Sequence, residues 1–434
     1  MSPEVVGFVG IGVMLVFFAI GMPIAFAMAV AGLAGYAYLV SPGVAFNLLP
    51  RDVFEQFASY PLSVIPMFVM MGCYAFASGI GKRLFDTAYV LLGRMPGGLS
   101  VATIAASTGF GAICGSTSAT CATIGKVAIP EMRKKGYKDW LSTGTVTVSG
   151  SLGIIIPPST TFIVYGILTE QSIGKLFISG IIPGVILTIL FIGTVAYICI
   201  RDPAAGPAGP STSIKQKLVS LKGLIDTIVL FAVTIGGLFA GWFSPTQAGA
   251  IGAAGALLIG LINRQLTWKN FVESTKDGLR ISCMILLLIA GAIIFGHFIT
   301  RTGMPAALAE WVGGLNVAPV WIMAMILVFW FILGCLIDAM AIIVFLVPIV
   351  YPIVIHLGYD PIWFGMIVTV LSMTAVVTPP VGVNAYVVKG IVKDIPLTTI
   401  FKGVFPFLVP FFLGIVLLVA FPPLATWLPG FITY

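Results

Sequence analysis

The chain has 434 residues, of which 59% are hydrophobic and 9% charged, with a net charge of +7. A soluble domain carries about 25% charged residues, so a large water-soluble core is excluded for lack of polar sequence to cover it. Apolar runs of membrane-crossing length, roughly 17–25 residues, recur from end to end and define an all-α polytopic membrane protein.

The basic residues do not point to nucleic acid. They collect in short connections: KR at 82–83, RKKGYK at 133–138, then Lys215, Lys217, Lys222, Arg264, Lys269, Lys389 and Lys393. That is the positive-inside bias that orients a membrane protein. The opening MSPEVVGFVG lacks the basic start of a signal peptide, so the first span is expected to stay in the membrane. Gly21-Met22-Pro23 interrupts the first 40 residues, and two short spans are expected there in preference to one kinked helix. The six cysteines lie in or beside apolar runs without a CxxC pair and read as small buried hydrophobes. His297 and His356 are too far apart in sequence to suggest a metal site.

Residues 98–130 run between two basic flanks, GRMPGG and PEMRKK, and predict a hairpin that enters from the cytoplasm and turns at GSTSAT, 115–120. Residues 136–170 cross outward with a break at Pro157-Pro158, and 174–200 return to the linker 201–222, rich in Pro, Gly and Ser. Two spans follow, near 223–243 and 247–263, then an amphipathic surface stretch at 268–280 and a span at 281–300. A second hairpin, 317–352, is expected to enter from outside and turn near GCLIDAM. A crossing broken at Pro379-Pro380 and a last span at 397–420 complete the chain.

The chain repeats itself. Pro130, Gly136, Tyr137, Pro157 and Pro158 match Pro352, Gly358, Tyr359, Pro379 and Pro380, all at an offset of 222. The first GY loop carries Arg133, Lys134, Lys135 and Lys138, whereas the second carries no Lys or Arg. Opposite flanking charge on matching units predicts an inverted-topology repeat, a transporter architecture.

A chain that turns inside a bilayer bares backbone polar groups, tolerated only against protein or a water-filled cavity. Ser116, Thr117, Ser118 and Thr120 can supply hydroxyl oxygens at the first turn, or simply satisfy the turn itself. A proline frees the carbonyl one turn earlier. GIIIPPST therefore offers carbonyls at 153–156 with Ser159 and Thr160 beyond, and VVTPPVGVN offers Thr378, the carbonyls before it, and Asn384. The half-helices after each break present positive dipole ends to an anion. Asp338 lies deep in apolar sequence at the second turn. An intramembrane acid is costly and usually functional, and three roles stay open: binding a cation, carrying a proton, or capping the turn. Asp86, Asp226 and Lys126 read as paired or snorkelling groups near interfaces. No GxxxxGK[ST] loop, HExxH motif or paired acid constellation suggests an ATPase or an intramembrane enzyme.

GAICGSTSATCATIGKVAIPEM, GIIIPPST and TPPVGVNAYVVKG, in this order and spacing, closely resemble the large permease subunit of TRAP (tripartite ATP-independent periplasmic) transporters, over essentially the whole chain. The resemblance implies sodium-coupled import of an organic acid, a carboxylate, without an organic cofactor, in the bacterial inner membrane. It implies two partners, a periplasmic substrate-binding protein and a small four-helix membrane subunit, the latter expected as a separate polypeptide. It also implies an elevator in which a transport domain of both hairpins and both broken helices slides against a scaffold. The domains would then be 1–97 (scaffold spans and surface helix), 98–200 (first repeat), 201–222 (cytoplasmic linker), 223–316 (scaffold spans and surface helices), 317–420 (second repeat) and 421–434 (C-terminal tail). Sodium would lie among Gly115, Ser116, Thr117, Ser118 and Ile156 in one half, and Gly334, Asp338, Thr378 and Val381 in the other. The substrate would lie near Pro158, Ser159, Thr160, Pro380, Gly382 and Asn384. Some members of the family carry an acid where this chain has Thr120, which leaves the first ligand set open. A stand-alone sodium- or proton-coupled carboxylate symporter of related fold would share this layout.

Overall fold

The computed structural model describes residues 1–314 and 317–431, so the ends of the expected 223–316 and 421–434 segments lie outside the described residues. All described regular structure is helical. The first region comprises α1 (Pro3–Ala19), α2 (Ile24–Leu39), α3 (Pro42–Phe57), α4 (Val64–Ala77) and α5 (Ile80–Leu92). The Gly21-Met22-Pro23 interruption gives two helices, with Gly21 in the left-handed region at φ 85°.

A helix pair follows, α6 (Gly98–Cys114) and α7 (Thr117–Lys134). Then come α8 (Asp139–Ser151), α9 (Thr160–Thr169), α10 (Ile173–Ser179) and α11 (Ile181–Arg201). The span expected at 174–200 is present as the single membrane-crossing stretch Ile173–Arg201, with a turn at Gly180 between α10 and α11. A Cβ there would come 2.1 Å from the Ile155 carbonyl, so only glycine lets the chain pass so close to the break. The linker 201–222 is not wholly irregular: α12 (Ile214–Ser220) forms on a reciprocal Ser213–Gln216 cap.

The middle of the chain holds α13 (Ile225–Phe231), α14 (Gly237–Phe239), α15 (Pro245–Ile262), α16 (Trp268–Arg301) and α17 (Met304–Gly313). The surface stretch and span expected at 268–280 and 281–300 are one continuous 34-residue helix. No proline interrupts it, and at 1.5 Å per residue it is about 50 Å long, well beyond the roughly 30 Å apolar layer. Its amphipathic turns thus extend the same rod. The last region holds α18 (Pro319–Gly334), α19 (Ala339–His356), α20 (Pro361–Ala375), α21 (Val383–Ile391), α22 (Leu397–Ala420) and α23 (Pro423–Thr426). Among the described residues seven helical stretches are long and apolar enough to cross a membrane, including Ile173–Arg201, Trp268–Arg301, Ala339–His356 and Leu397–Ala420.

Without a hydrophobic drive between helices in lipid, close association depends on small residues. Gly144 of α8 faces Gly403 of α22, where an added Cβ would meet backbone at 2.3 Å; Gly32 of α2 lies likewise against the backbone of Phe295 on α16. Several charged groups find partners. Arg83 meets Asp226 at 2.9 Å, Asn263 donates to the same carboxylate at 2.9 Å, and Lys126 lies over the Phe76 ring.

Candidate ion and substrate site at two helix breaks

The stretch GSTSAT breaks at Gly115-Ser116, between α6 and α7. Gly115 closes α6 in the left-handed conformation, φ 64°, and a Cβ on it would lie 2.7 Å from the Pro158 carbonyl oxygen. Glycine is therefore required twice, by conformation and by space. Thr160 Oγ1 donates to the Gly115 carbonyl at 2.9 Å, which ties the turn to the break after α8. Ser116 caps α7, its hydroxyl accepting from Ala119 N at 3.4 Å. Thr117, Ser118 and Thr120 are already in the first turns of α7, not in the loop. The Thr117 and Ser118 hydroxyls are half-buried and bond no described residue.

Thr120 is fully buried and its Oγ1 makes no regular hydrogen bond, with the weakly polar Cys114 thiol beside it. A Cβ on Gly153 would come 2.6 Å from that oxygen and 2.7 Å from the Ser116 carbonyl, so the orphan hydroxyl faces the break. The break itself starts with a tight turn at Leu152–Ile154 and ends at Ser159. Ser159 Oγ donates to the Ile154 carbonyl at 2.5 Å and accepts from Phe162 N at 3.3 Å, so its one proton is committed to the break while the oxygen caps α9. The carbonyls of Ile155, Ile156, Pro157 and Pro158 accept no hydrogen bond from a described residue.

The other half has the same parts. α18 ends at Gly334, four residues follow, and Asp338 caps α19 by accepting from Met340 N at 3.0 Å. Gly334 packs against Ala375 of α20; a Cβ on it would be 2.7 Å from the Ala375 Cβ. The turn reaches the next break here too, through Val381 N donating to the Cys335 carbonyl at 3.3 Å. Thr378 Oγ1 donates back to the Thr374 carbonyl at 2.7 Å, and Gly382, φ 60°, opens α21. The carbonyls from Val377 to Val381, Pro380 included, accept nothing from the described chain. α19 begins and ends 222 residues after α7, and the caps Ser116 and Asp338 stand at that same offset.

Asn384 is fully buried at the start of α21. Its Nδ2 donates to the Thr147 carbonyl of α8 at 3.2 Å, its N donates to Val376, and Oδ1 is left unpartnered. The second break is thereby fastened to the first half of the chain. Sequence reasoning missed the α8 side of this contact. The run STGTVTVSGS, 142–151, is as hydroxyl-rich as GSTSAT and every residue in it is buried. Most of its hydroxyls bond back to the carbonyl three or four residues earlier, but Thr145 Oγ1 has no partner. The structure joins each turn to its own break; the starts of α9 and α21 share no hydrogen bond.

A bundle of crossing helices with two interrupted segments, each bonded to a nearby turn, is a multi-span transporter fold. The solved YdaH transporter of Alcanivorax borkumensis shares it, with a TM-score of 0.62 at 16% identity, covering 89% of this chain and 90% of that one. Residues 11–424 match the family model of the tripartite ATP-independent periplasmic transporter, DctM component, and the chain belongs to that family. It is a TRAP large permease component of the bacterial cytoplasmic membrane and not an enzyme. It is 32% identical to the C4-dicarboxylate TRAP transporter large permease protein DctM of Pseudomonas aeruginosa, over 88% of this chain and 90% of that relative. It is 34% identical to the isethionate TRAP transporter permease protein DctMQ of Oleidesulfovibrio alaskensis, over 95% of this chain but only 64% of that longer relative.

Proposed function

We propose that this chain imports an organic acid by sodium symport, receiving it from a periplasmic binding protein and working beside a small membrane subunit. The observation that carries the reading is the set of unused oxygens at the two junctions: the orphan Thr120 hydroxyl with the carbonyls of 155–158, and the carbonyls of 377–381 beside Asp338. Protein oxygens without partners are expensive in a membrane interior, and hard cations are held by such oxygen sets. Sodium is placed at Gly115, Ser116, Thr117, Ser118 and Ile156, extended here to Thr120, and at Gly334, Asp338, Thr378 and Val381. The acid is placed between them, against the helix starts after Pro158 and Pro380, where Thr160, Gly382 and the free Oδ1 of Asn384 lie; Ser159 acts there through the cap it forms.

In this reading α6–α7 and α18–α19 are re-entrant hairpins of an inverted repeat. They and the broken helices form the moving domain, while α2, α4, α15 and α16 belong to the scaffold. The shared offset of α7 and α19 and the opposite charge of their GY loops support it. The test is reconstitution into vesicles with the small subunit and the binding protein. A sodium gradient should drive uptake of an acid only when the binding protein is present; uptake without it would make the chain a stand-alone symporter. Cysteines at Lys134 and Leu357 should label from opposite faces, and labelling from one face would remove the inversion.

A further inference from the structure

A cavity of about 770 Å³ opens away from both junctions, between α2, α16, α19 and the end of α9. That volume is within the range of small-molecule sites, roughly 300–1,000 Å³. One face of α16 forms its wall, because Ile293, Gly296, His297, Thr300 and Arg301 recur at three- and four-residue spacing. Tyr36 of α2 and Glu170 at the end of α9 also line it.

The charges are arranged asymmetrically. Arg301 is exposed to the cavity and makes no ion pair or hydrogen bond with a described residue. The Thr300 and Tyr36 hydroxyls are also without described partners. His297 is turned to Asp52 of α3, with Nε2 at 3.2 Å from the carboxylate. Arg301 is therefore the guanidinium left free for an incoming group. Glu170 is held in the left-handed region at φ 55°, a conformation disfavoured for a non-glycine residue.

We propose that this cavity is a receiving site for the organic anion, held by the Arg301 guanidinium with the Thr300 and Tyr36 hydroxyls before it reaches the helix breaks. A guanidinium beside hydroxyl donors matches carboxylate or sulfonate oxygens. This rests on the organic-acid reading above, and it adds a first stop on the path, where α2 and α16 meet the end of α9 and the middle of α19.

The test uses the full chain in vesicles, with Ile293→Cys as a reporter in a Cys283→Ser background. A negatively charged thiosulfonate should label it about threefold faster than a positively charged one. Arg301→Gln should abolish that preference and Arg301→Lys should retain it. Succinate or isethionate should slow labelling in the parent but not in Arg301→Gln. A preference indifferent to Arg301, or no slowing by either acid, overturns the receiving site. So does slowing seen only with anionic lipid in the vesicle, which would assign the guanidinium to a lipid phosphate. Sodium-driven uptake measured on the same vesicles keeps the two readings apart. Uptake without the labelling effect removes this site alone. The labelling effect without acid uptake removes the transport reading and leaves an anion site.

Discussion

The two junctions are built alike and finished differently. At the first, every residue from Ser151 to Thr160 is buried, and the oxygens on offer are all neutral: hydroxyls of α7 and carbonyls of the break. At the second, Pro380, Val381 and Asp338 are exposed and Thr378 is half-buried. The single acid stands at the open junction. An unpaired carboxylate in a closed apolar interior is penalised by several kcal/mol, and Asp338 stands where the chain leaves it uncovered, with its carboxylate accepting from Met340 N. In the sodium reading proposed above, the closed junction would hold its cation with dipoles alone. One backbone geometry, used twice, thus carries only neutral oxygens at one junction and a carboxylate at the other.

The largest effect should come from Gly115→Ala. It forces a side chain into the left-handed region, at about 1–2 kcal/mol, and drives a Cβ against the Pro158 carbonyl, where backbone has no room to move. Gly382→Ala has the same conformational penalty, but its nearest contact is the Phe401 ring at 2.6 Å, a side chain able to turn. Thermal unfolding of the purified protein should therefore fall more for Gly115→Ala, and uptake should be lost. Equal losses would show that the closed junction is no tighter than the open one.

Asp338→Asn comes next. Asparagine caps a helix about as well as aspartate, so the melting temperature should stay close to that of the parent while the sodium concentration for half-maximal uptake rises about tenfold. Asp338→Ala should add the loss of the cap, about 1 kcal/mol. An Asn variant with unchanged sodium dependence would reduce Asp338 to the cap the structure shows.

Much of this was legible in the sequence, for identifiable reasons. Proline pairs and glycines fix backbone locally, so the breaks at Pro157-Pro158 and Pro379-Pro380 and the turn at Gly115 fell where composition placed them. Asp338 announced itself as a charge in apolar sequence. The α16 rod did not, because an amphipathic stretch and an apolar one can share one helix when nothing breaks it. Nor did the roles of the hydroxyls. Ser116, Ser159 and Thr120 look equivalent as letters, yet two are used in caps and one is left bare, a difference made by long-range packing against Gly153. The grip of Asn384 on Thr147 spans 237 residues and has no local signature.

Thr120→Val sharpens the comparison from the closed side. Replacing a buried hydroxyl without a partner by a methyl of the same shape is close to neutral or stabilising. If Thr120 only fills space, uptake and stability should both be preserved. If it lines a cation site, half-saturation by sodium should rise several-fold while the melting temperature holds or increases. Titrating uptake against sodium and melting the same preparation reads both quantities.

The smallest effect is expected where the two halves meet in water. Arg133, at the end of α7, donates to Asp394 beyond α21 at 2.5 Å and to Asp139 at 2.9 Å. The hydrogen bond from Arg133 holds the Asp394 carboxyl below its usual range. A depressed folded-state value means that this contribution is fully present above the ordinary aspartate range, near 3.9, and is lost as pH falls through the folded value. The pair is exposed, so screening keeps it weak. Asp394→Asn should thus lower the melting temperature by no more than about 2 °C at pH 7, and the gap from the parent should vanish in acid. A gap that does not shrink as pH falls below the ordinary aspartate range would mean that Asp394 supports the junction of the halves by packing and not by charge.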